Sequence, residues 1–162
     1  MSKPDYKNPA GESEASPAER SVGFDGKFDA VAFFGLLANH GHGGEIGIAY
    51  HAHGDDWVEV ALPWRPELVG VPESGLLASG AIVSLIDLAA GVAIWIKRGE
   101  FKPMATLDLR IDYLRPAPKG ETVLARCRCI KIARSVAFVE GAAHVGDPDN
   151  PIARAALTFM TT

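Results

Sequence analysis

Residues 81–97 constrain this chain more than any other segment. They run Ala81-Ile82-Val83-Ser84-Leu85-Ile86-Asp87-Leu88-Ala89-Ala90-Gly91-Val92-Ala93-Ile94-Trp95-Ile96-Lys97, apolar nearly all round, with one carboxylate inside. A helix without a polar face must be covered on all sides, by a sheet that curls around it or by a partner. The lone acid sharpens the demand, because a carboxylate removed from water is costly unless something pairs with it. The segment would be about 26 Å long as a helix, short of the roughly 20 residues of a membrane span, so it reads as a buried core helix.

The flanking sequence sets the class. Gly75-Leu76-Leu77-Ala78-Ser79-Gly80 is a small-residue turn, with Ser79 the predicted N-cap. Gly99 is the predicted stop, behind Lys97 and Arg98, which suit the negative end of a helix. Downstream, residues 104–114, 122–133, 135–145 and 152–160 read as strands separated by turn residues, which implies an antiparallel sheet. Upstream, residues 24–39 carry a helical pattern that His40-Gly41-His42-Gly43-Gly44 ends. Residues 45–51 and 57–62 then form a hairpin around Gly54-Asp55-Asp56, and 63–74 is a Pro-punctuated loop. Two strands, a long helix and four strands predict one α+β domain over residues 23–162. Residues 1–22, rich in Pro, Ser, Glu and Lys, predict a flexible tail.

Composition narrows the functional classes. A net charge of −4 gives no general pull toward nucleic acid, so an anionic ligand would need a local cation cluster. Cys127 and Cys129 sit at i and i+2 of a strand, on one face and poorly placed for a disulfide, and no metal pattern surrounds them. Together with the lack of an apolar leader behind Met1, this predicts a reducing, cytoplasmic setting and no membrane partner.

Three groups of residues carry possible chemistry. Gly80, Ser84, Asp87 and Gly91 fall at spacings of four, three and four, one stripe along the helix. Asp87 lies too far in to cap the helix, so it either bonds a neighbouring element or does chemistry, and the residues alone leave both open. Thr106 starts the next strand. Plain alternation puts it with Asp108, Arg110 and Asp112, opposite a core face of Leu107, Leu109, Ile111 and Tyr113. Lys131-Ile132-Ala133-Arg134-Ser135 places two cations and a hydroxyl at a turn, suited to phosphate. The pairs His40/His42 and His51/His53 lack a third ligand at a recognised spacing. The Gly41-His42-Gly43-Gly44 run lacks the Lys and the following helix of a phosphate loop.

These segments resemble a family. Their order is similar to the hotdog fold, and residues 30–161 resemble the small acyl-CoA thioesterases of the phenylacetic-acid-degradation type. Leu85-Ile86-Asp87-Leu88-Ala89-Ala90-Gly91 matches the family's acidic helix, Tyr113-Leu114-Arg115-Pro116-Ala117 the end of its next strand, and Val136-Ala137-Phe138-Val139-Glu140 a later strand. The resemblance implies a five- or six-stranded antiparallel sheet wrapped around the helix, and hydrolysis of an acyl-CoA. Asp87 would be base or nucleophile, and Thr106 the hydroxyl that orients water. Ser79 and Gly80 would offer backbone N–H groups to the carbonyl. Ser84, Arg134 and Ser135 would bind substrate, the last two near the phosphopantetheine. It implies no cofactor beyond the coenzyme A of the substrate, and a dimer or dimer of dimers with the site at a subunit interface. The chain departs from the pattern at Ala78, where the family has His, and at Pro72, where it has Asn. Those departures keep open a non-catalytic acyl-ligand binder on the same fold, and behind it a hydratase or dehydratase.

Overall fold

A computed structural model describes residues 27–161. The proposed tail, 1–22, lies outside them. Helices α1 (Ala30–Leu37) and α2 (Gly41–Glu45) lead into strands β1 (Ala49–His53) and β2 (Trp57–Leu62). A 3-10 turn at Pro66–Leu68 precedes a small hairpin of β3 (Val69–Val71) and β4 (Leu76–Leu77), where the sequence predicts only loop. The long helix α3 (Ser79–Arg98) follows, and then β5 (Met104–Tyr113), β6 (Val123–Ile132), β7 (Val136–His144) and β8 (Ala153–Thr161).

Six strands form one antiparallel sheet in the order β1-β2-β6-β7-β8-β5. α3 lies in its concave face. Leu85, Ile86, Ala89, Val92, Ala93 and Ile94 are sealed against Val58, Val60, Val123, Ala125, Cys127, Val139 and Leu157. Each large side chain so buried favours folding by about 1.5–3 kcal/mol, and this packing holds the helix on the sheet. Cys127 and Cys129 both point into this core as free thiols, and burial pushes the Cys127 thiol up to about 12. The architecture is the one the resemblance implies.

The structure corrects several expectations. α3 has 20 residues, so length alone no longer separates it from a membrane span; its burial against the strands is what marks it as a core helix. Its N-cap is Ala78, not Ser79, and no side chain caps it. The cause is tertiary: the Ala78 N–H is bonded to the Leu68 carbonyl, which fixes Ala78 in extended backbone and starts the helix at Ser79, one residue earlier than expected. The C-terminus is as expected, with Gly99 left-handed at φ 72° and its N–H on the Trp95 and Ile96 carbonyls. His42, Gly43 and Gly44 lie inside α2 instead of ending α1, and β1 starts at Ala49 instead of Glu45.

Enclosure of α3 is incomplete. Its side bearing Ser79, Gly80, Ser84 and Asp87 is exposed or half-buried. A side chain added at Gly80 would meet nothing within 4 Å. The stripe therefore forms an open groove between β5 on one side and α2 on the other.

Candidate functional site

Asp87 sits half-buried in this groove, one turn beyond Ser84. Thr106 Oγ1 donates to Asp87 Oδ1 at 2.9 Å. Among the described residues no cation pairs with the carboxylate, which leaves its other accepting lone pairs to the groove.

Thr106 reaches Asp87 because β5 is bulged. Thr106 pairs with Phe159 and Asp108 with Thr158, so Leu107 is an extra residue with no partner on β8. A bulge shifts the alternation by one. Thr106 therefore faces the helix, on the side of Leu109 and Ile111, while Asp108, Arg110 and Asp112 face out. This overturns the placement of Thr106 with the outward residues. It also removes Leu107 from the core face, where it is 57% exposed. Tyr113 departs too: it is 47% exposed, and its hydroxyl donates to the Ser79 carbonyl at 3.1 Å. Partial burial pushes the Tyr113 phenol up.

The remaining candidates divide by position. Ser79 and Gly80 open α3 without a side-chain cap, so their N–H groups stay available at its positive end. Ser84 Oγ donates to the Gly80 carbonyl at 3.0 Å and lies 3.0 Å from His42 Nε2. Arg134 and Ser135 are exposed in the turn between β6 and β7, closed by Ala133 N–H on the Val136 carbonyl. The ladder Thr106–Phe159–Ala137 puts that turn at the Thr106 end of the sheet, and no described contact joins it to Asp87. Ala78 starts α3 and Pro72 is exposed beside the β3–β4 hairpin.

Three of the imidazoles take different partners. His40 Nδ1 lies against the Leu36 carbonyl, His42 against Ser84 and His53 against the Tyr50 hydroxyl. Sequence reasoning missed the His42–Ser84 and Tyr113–Ser79 contacts. The first had a signal in the glycine run around His42; the second had none, because plain alternation placed Tyr113 in the core.

A carboxylate tethered by a hydroxyl, beside uncapped helix N–H donors, can deprotonate a water or attack a carbonyl while donors receive the oxyanion. The sequence model of the Thioesterase superfamily matches residues 74–152, which span α3 and the bulged strand. The medium/long-chain acyl-CoA thioesterase YigI of Escherichia coli is 28% identical over 128 residues, 71% of this chain and 81% of its own. A Haemophilus influenzae thioesterase superimposes with a TM-score of 0.73 at 22% identity, covering 84% of this chain and 92% of its own. A mutant form of the phenylacetic acid degradation protein PaaI of Thermus thermophilus gives a TM-score of 0.64 at 22% identity, over 74% and 97% of the two chains. A central helix wrapped by an antiparallel sheet gives this chain the hotdog fold, and the sequence model places its residues 74–152 in the thioesterase superfamily.

Proposed function

We propose that this protein hydrolyses an acyl-CoA thioester to a free acid and coenzyme A. The observation that carries the reading is the 2.9 Å bond from Thr106 Oγ1 to Asp87 Oδ1 in the open groove of α3. The bond holds one carboxylate oxygen in place. As a base, Asp87 takes a proton from water as the water oxygen adds to the thioester carbon, and the C–S bond then breaks to release the thiolate, which regains the proton. As a nucleophile, Asp87 itself adds to the carbon, the C–S bond breaks to release the thiolate, and water cleaves the resulting anhydride to the free acid and the Asp87 carboxylate, its proton passing to the thiolate. Both routes pass through an oxyanion, for which the uncapped Ser79 and Gly80 N–H groups are the backbone donors in this reading.

Lys131, Arg134 and Ser135, at the sheet end nearest Thr106, suit the phosphates and pantetheine of the coenzyme. The similarity to YigI supports medium- or long-chain acyl groups, and the resemblance to the phenylacetic-acid-degradation type supports aromatic ones. The buried free thiols suit a reducing compartment such as the cytoplasm. No cofactor enters the reaction.

A binding-only reading draws on one observation: Ala78 and Pro72 bring no polar side chain to the two positions where the resemblance expects His and Asn. A thiol-release assay over short, medium, long and aromatic acyl-CoAs separates the two. Turnover on any of them supports hydrolysis. Saturable binding without thiol release supports the binder and overturns the enzyme.

A further inference from the structure

The glycine run around His42 fits neither a phosphate loop nor a helix stop, and the structure shows what it does. Gly41 is left-handed at φ 67°. A side chain on Gly44 would collide with the Leu37 carbonyl, and one on Gly43 would lie 3.1 Å from the Leu37 side chain. Glycine at these positions lets α2 press flush against the end of α1. The result is fixed by bonds from Ile46 N–H to the His42 carbonyl at 3.0 Å and from Ile48 N–H to the Gly43 carbonyl at 2.9 Å. The Arg65 guanidinium also holds the Glu45 carbonyl. This packing delivers one side chain to α3: His42, whose Nε2 lies 3.0 Å from Ser84 Oγ.

Ser84 has one hydrogen and two neighbours, the Gly80 carbonyl and His42 Nε2. With the single Ser84 hydroxyl hydrogen on the Gly80 carbonyl at 3.0 Å, the 3.0 Å contact with His42 takes the tautomer that carries its proton on Nε2. His42 therefore presents Nε2–H to the groove. Ser84 and Asp87 are three residues apart on one helix face, about 5–6 Å between their β-carbons. The groove has the carboxylate and its hydroxyl on the β5 side, a donor on the α2 side, and open space over Gly80 between them.

We propose that His42 Nε2–H is the side-chain donor to the thioester carbonyl oxygen, leaving Ser84 for the substrate when it binds. This rests on the reading of Asp87 and Thr106 as the hydrolytic pair. As an oxygen of water or of Asp87 adds to the carbonyl carbon, the C=O electron pair moves to oxygen and the Nε2–H bond to it shortens. No proton leaves His42. When the oxyanion collapses, the C–S pair departs with sulfur and the hydrogen bond relaxes. The donor is held by packing before substrate arrives, the condition under which such a bond favours the transition state over the ground state.

The test pairs kinetics with a spectroscopic reading that needs no turnover. His42→Ala lowers kcat about 10²-fold, the scale of one lost oxyanion donor, with KM changed less than about threefold. His42→Gln keeps an N–H donor and recovers at least a tenth of the parent kcat. The second reading uses 2-oxononyl-CoA, in which a methylene separates a carbon-13 carbonyl from sulfur so that hydrolysis is blocked. Its bound carbonyl stretch falls to lower frequency in the parent and in Asp87→Asn, and returns toward the solution value in His42→Ala. A parent that turns over substrate but shows no His42-dependent band shift overturns the proposal and leaves hydrolysis standing. A band shift without turnover overturns hydrolysis and supports the donor. His42→Ala with kcat within twofold of the parent overturns it outright.

Discussion

Thr106 Oγ1 donates to Asp87 Oδ1 at 2.9 Å from a strand residue placed on the helix side by the bulge at Leu107. The hydroxyl spends its one hydrogen on this bond, which holds the carboxylate in a single orientation. Asp87→Asn keeps the shape and removes most of the basicity. It is expected to lower the rate of thiol release by about 10²-fold or more. Thr106→Ala removes one hydrogen bond and is expected to cost about tenfold, while Thr106→Ser retains most activity. A folded Asp87→Asn variant with the parent rate would remove Asp87 from the chemistry.

Arg134 projects from the β6–β7 turn into solvent, with Ser135 beside it. An exposed charge contact to a phosphate contributes about 1 kcal/mol and is screened by salt. Arg134→Ala should raise KM for acyl-CoA about fivefold, leave kcat within twofold, and flatten the dependence of KM on ionic strength. Unchanged KM and salt dependence would place the coenzyme elsewhere.

β5 ends the sheet. It spans 10 residues, pairs with β8 along one side only, and carries Thr106. A long unpaired edge next to an open groove is a surface that a second copy can cover. Sedimentation at micromolar concentration is expected to give a dimer or a dimer of dimers. A monomer that retains full turnover on dilution would contradict this and would also show that one protomer completes the site.

The Cys127 thiol is fully sealed and its pKa is pushed up to about 12, by burial first and by the Asp87 charge second. In the unfolded chain the same thiol ionises near 9.0. Below that pH both states are protonated and stability is unaffected. From about 9 to about 12 the unfolded state sheds the proton and the folded state keeps it, so stability falls as pH rises. The slope is about 1.4 kcal/mol per pH unit for one such group. Cys129 is shifted the same way and adds to the effect. Denaturation midpoints measured across this window should fall more steeply in the parent than in Cys127→Ala. Parallel slopes would refute the account.

The fold was legible in the sequence because it is written in apolar pattern. Burial of Leu85, Ile86, Ala89 and Val92 follows from composition alone, and the four strands after α3 match their predicted ranges to within one residue. Asp87 was legible as the one charge that the helix interior had to accommodate. Other features depended on tertiary contacts that no local pattern records. Ala78 became the N-cap through its bond to Leu68. Tyr113 found the Ser79 carbonyl across 34 positions of chain, and His42 found Ser84 across 42. Thr106 was chosen by its chemistry but put on the wrong face, because one unpaired residue inverts an alternation without altering the composition around it.

That unpaired residue has an unusual mutational profile. Leu107 is exposed in this protomer and lies outside its core, so exchanging it for Ser, Lys or Val should be nearly silent in folding. Removing it would change no identity that matters, yet it would force a choice. Either the pairing from Asp108 onward slips and turns Leu109 and Ile111 out of the core, or Thr106 swings to solvent and releases Asp87. Natural variation at this position is then constrained in length and free in letter. An alignment scored on similarity alone would mark it as dispensable, although the chain cannot lose it.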